Sequence, residues 1–144
     1  MRSDILNNNS SVGDVAAKYQ LIQSAKTLDD SDSGKVFGID QDSGAYEITL
    51  PLVKNVTPGW NVKFILADVG SNAVTIANNT DEDTIVGYTS GGDGGAGSST
   101  DSTAVDEIVF ISGAQLGDCC ELFCDGSYFF ARATAHDVAH ITIS

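Results

Sequence analysis

The sequence predicts an all-β fold, a small antiparallel β-sandwich or barrel of short strands preceded by an N-terminal arm. From Lys35 onward nine short runs recur, KVFGI, YEITL, VKFILA, AVTIA, TIVGY, DEIVF, CCELFC, YFFARA and HITI. They are β-branched or aromatic and are separated by Gly, Asp, Asn, Ser and Pro, the pattern of an all-β domain with many short connections. The second observation is the stretch 116–133, LGDCCELFCDGSYFFARA, where strand formers flank Asp125-Gly126. That dipeptide supplies the positive φ angles of a tight hairpin turn. Residues 1–28 lack both signals. At 144 residues the chain is long enough for one real core. The expected organisation is therefore an arm, 1–28, and one β domain, 29–144.

The hairpin fixes the most detailed expectation. With Asp125 and Gly126 as a two-residue loop, Leu122 opposes Phe129, Phe123 opposes Tyr128, Glu121 opposes Phe130 and Cys119 opposes Arg132. Cys120, Leu122, Cys124 and Phe129 share one face. Phe123, Tyr128 and Phe130 share the other, with Glu121 diagonal to Arg132. A hairpin of a small β domain needs only one apolar face, because the other can meet water. Here both are apolar, so the second is to be covered by a further layer of the same domain or by a neighbouring copy of the chain. Phe123, Tyr128 and Phe130 are accordingly the candidate subunit interface.

Taken in order, the chain opens with a polar, Asn-rich tip, 1–14. The run VAAKYQLIQSAKTL, 15–28, fits two structures: Val15, Tyr19 and Ile22 make a helical face, and 19–25 reads equally as an extended strand. The break DDSDSG, 29–34, holds three acids and a Gly, but counting back from Gly34 puts Ser33, Ser31 and Asp29 at the calcium-ligand positions. One carboxylate among three makes this a solvated turn. Pro51 and Pro58 bracket the next loop, which ends in the turn dipeptide Pro58-Gly59. Trp60 follows as a core or rim anchor. The segment SGGDGGAGSSTDST, 90–103, is a flexible loop; it has no Lys and no helix after it, so it is not a phosphate loop.

Seven Lys and Arg against 20 Asp and Glu give a net charge of -13. Such a surface argues against a nucleic-acid partner, whose binding rests on phosphate neutralisation by Lys and Arg. No apolar run approaches the roughly 20 residues of a membrane span, and 1–10 carries no apolar signal core, so synthesis in the cytosol is expected. The three cysteines, 119, 120 and 124, make neither an even disulfide framework nor spaced metal pairs. Alternation turns Cys120 and Cys124 inward as small buried hydrophobes. His136 and His140 have a helical spacing in a strand-and-loop context, which does not suit zinc. With Cys119 or Cys120, His136 forms the one nucleophile-and-base combination on offer, so the chain reads as a non-enzyme without cofactor or metal.

The segments SGKVFGIDQDSGAYEITLP, PGWNVKFIL, AVTI and LGDCCELFCDGSYFF, in this order, resemble the β domain of tailed-bacteriophage head decoration proteins, a domain also found in phage fibre proteins. In that family a Ser-Gly-Lys turn leads to an Ile-Thr-Leu-Pro strand, a Gly-aromatic strand, an Ile-containing strand and a Gly-Asp strand with an Asp-Gly aromatic hairpin. The resemblance spans about residues 27–134. Cysteines stand at strand positions where similar proteins commonly have Val or Ser, and Tyr128-Phe129-Phe130 stands where Trp is common.

The resemblance implies a viral structural protein, usually trimeric, bound to the outside of an assembled capsid through the major capsid protein. It implies synthesis in the host bacterial cytoplasm and residence at the virion surface. Within the arm, Val15, Tyr19, Leu21 and Ile22 are too apolar for a purposeless tail and are the candidate capsid contacts, docking as an extended strand or a helical face. The alternative is a receptor- or glycan-binding fibre module using Trp60 and the Gly-rich loop; no long shaft repeats accompany it.

Overall fold

Successive side chains of a strand point to opposite sides of a sheet, so the burial pattern along each run tells which side faces the core. The computed structural model describes residues 18–79, 82–95, 97 and 103–144. Its strands are β1 (Tyr19–Ile22), β2 (Lys26–Thr27), β3 (Val36–Asp40), β4 (Tyr46–Thr49), β5 (Asn61–Asp68), β6 (Val74–Ala77), β7 (Ile85–Gly91), β8 (Glu107–Phe110), β9 (Cys119–Cys124), β10 (Phe129–Ala135) and β11 (Ile141–Ile143). Every one of the nine runs read from the sequence is a strand. They form two sheets, β1-β3-β5-β9-β10-β7 and β11-β8-β6-β4-β2. The domain is thus the expected all-β sandwich.

Its pairing is mixed rather than antiparallel. From β1 to β8 the chain changes sheet at every connection, and from β1 to β6 a strand's sheet neighbour is the next strand but one. Each of these neighbours, reached by way of the opposite sheet, runs the same way, so β1/β3, β3/β5, β2/β4 and β4/β6 are parallel; β7 and β10 are parallel as well. Antiparallel ladders join β5/β9, β9/β10, β6/β8 and β8/β11. Alternation alone does not encode strand direction.

Between the sheets lie the inward residues of both. Phe37 and Phe64 stack with centroids 5.7 Å apart, and Trp60 meets Phe129 edge-on at 5.6 Å. Trp60 is buried, and its Nε1-H donates to the Asp29 carbonyl. Ile48, Ile76, Ile108 and Phe110 close the core from the five-stranded side. Cys120 and Cys124 are buried among them as expected, and burial pushes the Cys120 thiol well up from its ordinary value.

Two expectations change. The sandwich begins at β1, not at residue 29. Ile22 and Leu28 are core residues, the Tyr46 hydroxyl donates to the Ile22 carbonyl, and Leu28 N-H pairs with Thr49. Asp40 ties this segment down: its carboxylate accepts from Gln23 Nε2 at 2.8 Å and from Ser43 Oγ at 2.7 Å, and these bonds lower its pKa to about 2. Residues 1–17, including Val15, lie outside the described residues, as do 96 and 98–102 of the Gly-rich segment. Ser90 and Gly91 of that segment belong to β7.

The hairpin register is the second change. Phe129 opposes Cys124, Phe130 opposes Phe123 and Arg132 opposes Glu121, two residues from the expected pairing. The Asp125 carboxylate accepts from the N-H groups of Ser127 and Tyr128, so the side chain closes a loop of four, with Gly126 at φ 99°. A two-residue shift preserves faces, so the assignment of Phe123 and Phe130 to one side and Phe129 to the other is unaffected.

Removing residues 1–17 should leave the melting temperature within a few degrees of the full chain. Removing 1–28 strips Ile22 and Leu28 from the core and should cost about 3 kcal/mol or more in urea unfolding. Equal stability of the two truncations would show that β1 and β2 are dispensable.

Candidate functional site

The two sheets differ on their outer sides. On the five-stranded sheet the outward residues are Glu47, Thr49, Thr75, Ala77, Glu107, Val109 and Thr142, mostly short and polar. Glu82, Asp83 and Asp106 stand around the same side. The six-stranded sheet is the opposite. Its outward positions hold Tyr19 and Leu21 on β1, Val36 on β3, Ile65 on β5, Phe123 on β9, Phe130 on β10, and Val86 and Tyr88 on β7. Tyr19, Leu21, Tyr88, Phe123 and Phe130 are each between 41 and 51% exposed. Tyr128, in the hairpin loop, leans on Phe130 with ring centroids 6.2 Å apart. Of the two covers expected for the Phe123 face, a further layer of the same domain is not present among the described residues. Contiguous exposed aromatic surface of this kind marks a contact site.

Charge is arranged within that face rather than around it. Lys63, Glu121, Arg132 and Tyr88 stand side by side on β5, β9, β10 and β7. Lys63 Nζ lies 3.6 Å from Glu121, and the Arg132 guanidinium lies over the Tyr88 ring, 5.9 Å from its centroid. A groove of about 520 Å³ runs between Phe123, Phe130 and Tyr88, with Gly87 and Ala131 as its floor. Gly87 is required there: a Cβ would come within 2.0 Å of the Ala131 carbonyl oxygen.

β1 is the edge of this sheet. Lys18 C=O accepts the Val36 N-H at 2.6 Å, which turns the peptide groups of Gln20 and Ile22 to β3 and those of Tyr19 and Leu21 off the edge. Among the described residues no strand pairs with the outer edge of β1, and of the candidate capsid contacts Tyr19 and Leu21 are exposed. Ile22 is not: it is 3% exposed and serves the core. The Tyr19 ring is seated over Gly38, where a Cβ would lie 2.2 Å from its hydroxyl. Trp60, the stacking platform of the fibre-module alternative, is likewise taken by the core.

A second arrangement escaped sequence reading. Asp118 is buried, and its carboxylate accepts from Gln115 N-H at 2.8 Å, from His136 N-H at 2.9 Å, and pairs with Nδ1 of His136 at 2.6 Å and of His140 at 2.8 Å. Burial alone would raise its pKa; the hydrogen bonds from Gln115 and from both histidines outweigh it and hold the carboxyl below its ordinary value. The two rings that the sequence offered as ligands or bases thus hold the β8–β9 loop to the end of β10 and to the turn before β11. Among the described residues no group of three His, Cys, Asp or Glu side chains is placed to hold a metal. Asp29 and Asp32 of the acidic turn cap each other's backbone.

No protein-family model matches the chain, and no curated protein matches it in sequence.

Asp118→Ala should cost about 3 kcal/mol, because it empties a buried position and removes the shared acceptor of Gln115, His136 and His140. A carboxyl with a lowered folded pKa contributes stability above its ordinary value, 3.8, and loses it as pH falls through the folded value. Urea unfolding of the wild type should therefore weaken steeply below pH 3.8, and the variant should lose part of that acid dependence. Parallel pH profiles for the two proteins would refute the role given to Asp118.

Proposed function

We propose that the chain is a viral structural protein that decorates and cements the outside of a bacteriophage capsid. The observation that carries this reading is the outer face of the six-stranded sheet: aromatic, exposed and joined to an open edge, in a domain whose reverse side is polar. Such a surface suits work done by contact. The two histidines are spent on a buried carboxylate, and two of the three thiols are buried. The order of the motifs at residues 33–51, 58–66, 73–76 and 116–130 supports the same reading.

The major capsid protein is the partner, and Tyr19 and Leu21 at the β1 edge, with residues 1–17 before them, make the shell contact. An extended segment of the shell added to β1 would satisfy the peptide groups that point off the edge and gain selectivity from the two side chains. Self-association through Phe123, Tyr128 and Phe130 places several such edges in one particle. Each shell contact can then be weak, since linked sites bind with an effective concentration far above that of the free protein. Bridging neighbouring shell subunits in this way resists the outward push of packaged DNA. The net charge of -13 keeps the protein off that DNA.

Purified protein added to undecorated heads should bind to saturation at a fixed copy number per shell. Leu21→Asp, at an exposed position, should weaken binding by about tenfold or more without loss of folding. Copurification with tails alone, or no binding to heads, would refute the proposal.

A further inference from the structure

We propose that the central four strands of the aromatic face, β5, β9, β10 and β7, form a self-complementary docking surface for a second copy of the chain, with a twofold axis running along the strands between β9 and β10. The register carries the inference. Such an axis lays β9 of one copy over β10 of the other, and β5 over β7, with directly paired residues at the same height. Glu121 of one copy then faces Arg132 of the other, and Arg132 faces Glu121. Phe123 faces Phe130 twice in the same way. Lys63 of each copy meets the Tyr88 ring of the other, a second cation over an aromatic face. No displacement along the strands is needed for these matches.

Charge decides between a second copy and other occupants. Two copies of a chain with net charge -13 repel wherever acid meets acid. At the outward positions of these four strands Lys63 and Arg132 stand with Glu121, two positive charges and one negative, while Asp68 at the end of β5 has the parity of the inward residues, so the face is free of the acid excess. Four strands about 4.8 Å apart and six residues about 3.4 Å apart give a projected patch of roughly 400 Å². That lies at the small end of specific interfaces, so the association depends on concentration. A ring of three is built from two different patches, whereas a face that pairs with itself closes at two. The contact therefore narrows the oligomer from the trimer that the family resemblance implies to a dimer. It also leaves Tyr19 and Leu21, two strands beyond β5, uncovered.

The inference stands apart from the capsid reading, because it is measured on the purified chain alone. Sedimentation across a concentration series should show a monomer–dimer equilibrium. Glu121→Arg and Arg132→Glu, both at exposed positions, should each weaken the dimer about tenfold or more while the circular dichroism spectrum is unchanged. Mixing the two variants should restore it, since each then offers the other two opposite-charge pairs. Phe130→Glu should also give monomer. A wild type that sediments as monomer or trimer throughout, single variants that match the wild type, or a mixture that stays dissociated would each overturn the proposal.

Discussion

A β-strand has two faces, and a two-layer sandwich can bury only one face of each sheet. The five-stranded sheet obeys this limit with Ile48, Ile76, Ile108 and Ile141 inside and Thr49, Thr75 and Thr142 outside. The six-stranded sheet exceeds it. Its inner face carries Phe37, Phe64, Leu122 and Phe129, and its outer face carries Tyr19, Leu21, Phe123, Phe130 and Tyr88. Water in contact with that second face is unfavourable in proportion to the apolar area. The excess is one-sided, which gives the molecule one apolar outer face and one polar outer face.

How the chain reaches this state follows from its connections. Hopping between sheets puts β1, β3 and β5 parallel, and parallel strands are ordinarily covered on both sides. The open edge at β1 is held by Asp40, Gln23 and Ser43 and by the Tyr46 hydroxyl. Asp118 gathers His136 and His140, and Thr89 Oγ1 donates to the Ile141 carbonyl across the two sheets. Polar groups thus set the rims, and side-chain packing sets the centre.

Strand positions were legible in the sequence because β-branched and aromatic runs alternate with turn residues from Lys35 to Ile143. The sidedness of the hairpin was legible for the same reason, and it survived a register error because the error was even. The register itself was not: Asp125-Gly126 reads as a two-residue turn until the Asp125 side chain is seen to bind two N-H groups. β1 was ambiguous because four residues, Tyr-Gln-Leu-Ile, fit a helix face as well as a strand, and tertiary pairing with β3 decided it. β2, at two residues, is too short to leave a pattern. The Asp118 cluster joins residues 18 and 22 positions apart, which only the β9–β10 hairpin and the turn before β11 bring together. Strand direction left no trace in composition, since a half-buried strand alternates alike in either sense.

Contact through one face, with the other left to solvent, accounts for the asymmetry of the sheets. The account is tested most directly by covalent footprinting of side chains on the protein assembled on heads, compared with dilute free chain. It predicts protection of Tyr19, Leu21, Tyr88, Phe123 and Phe130, with labelling of Thr75, Val109 and Thr142 unchanged. Protection confined to the five-stranded sheet, with the aromatic face labelled as in free protein, would contradict it.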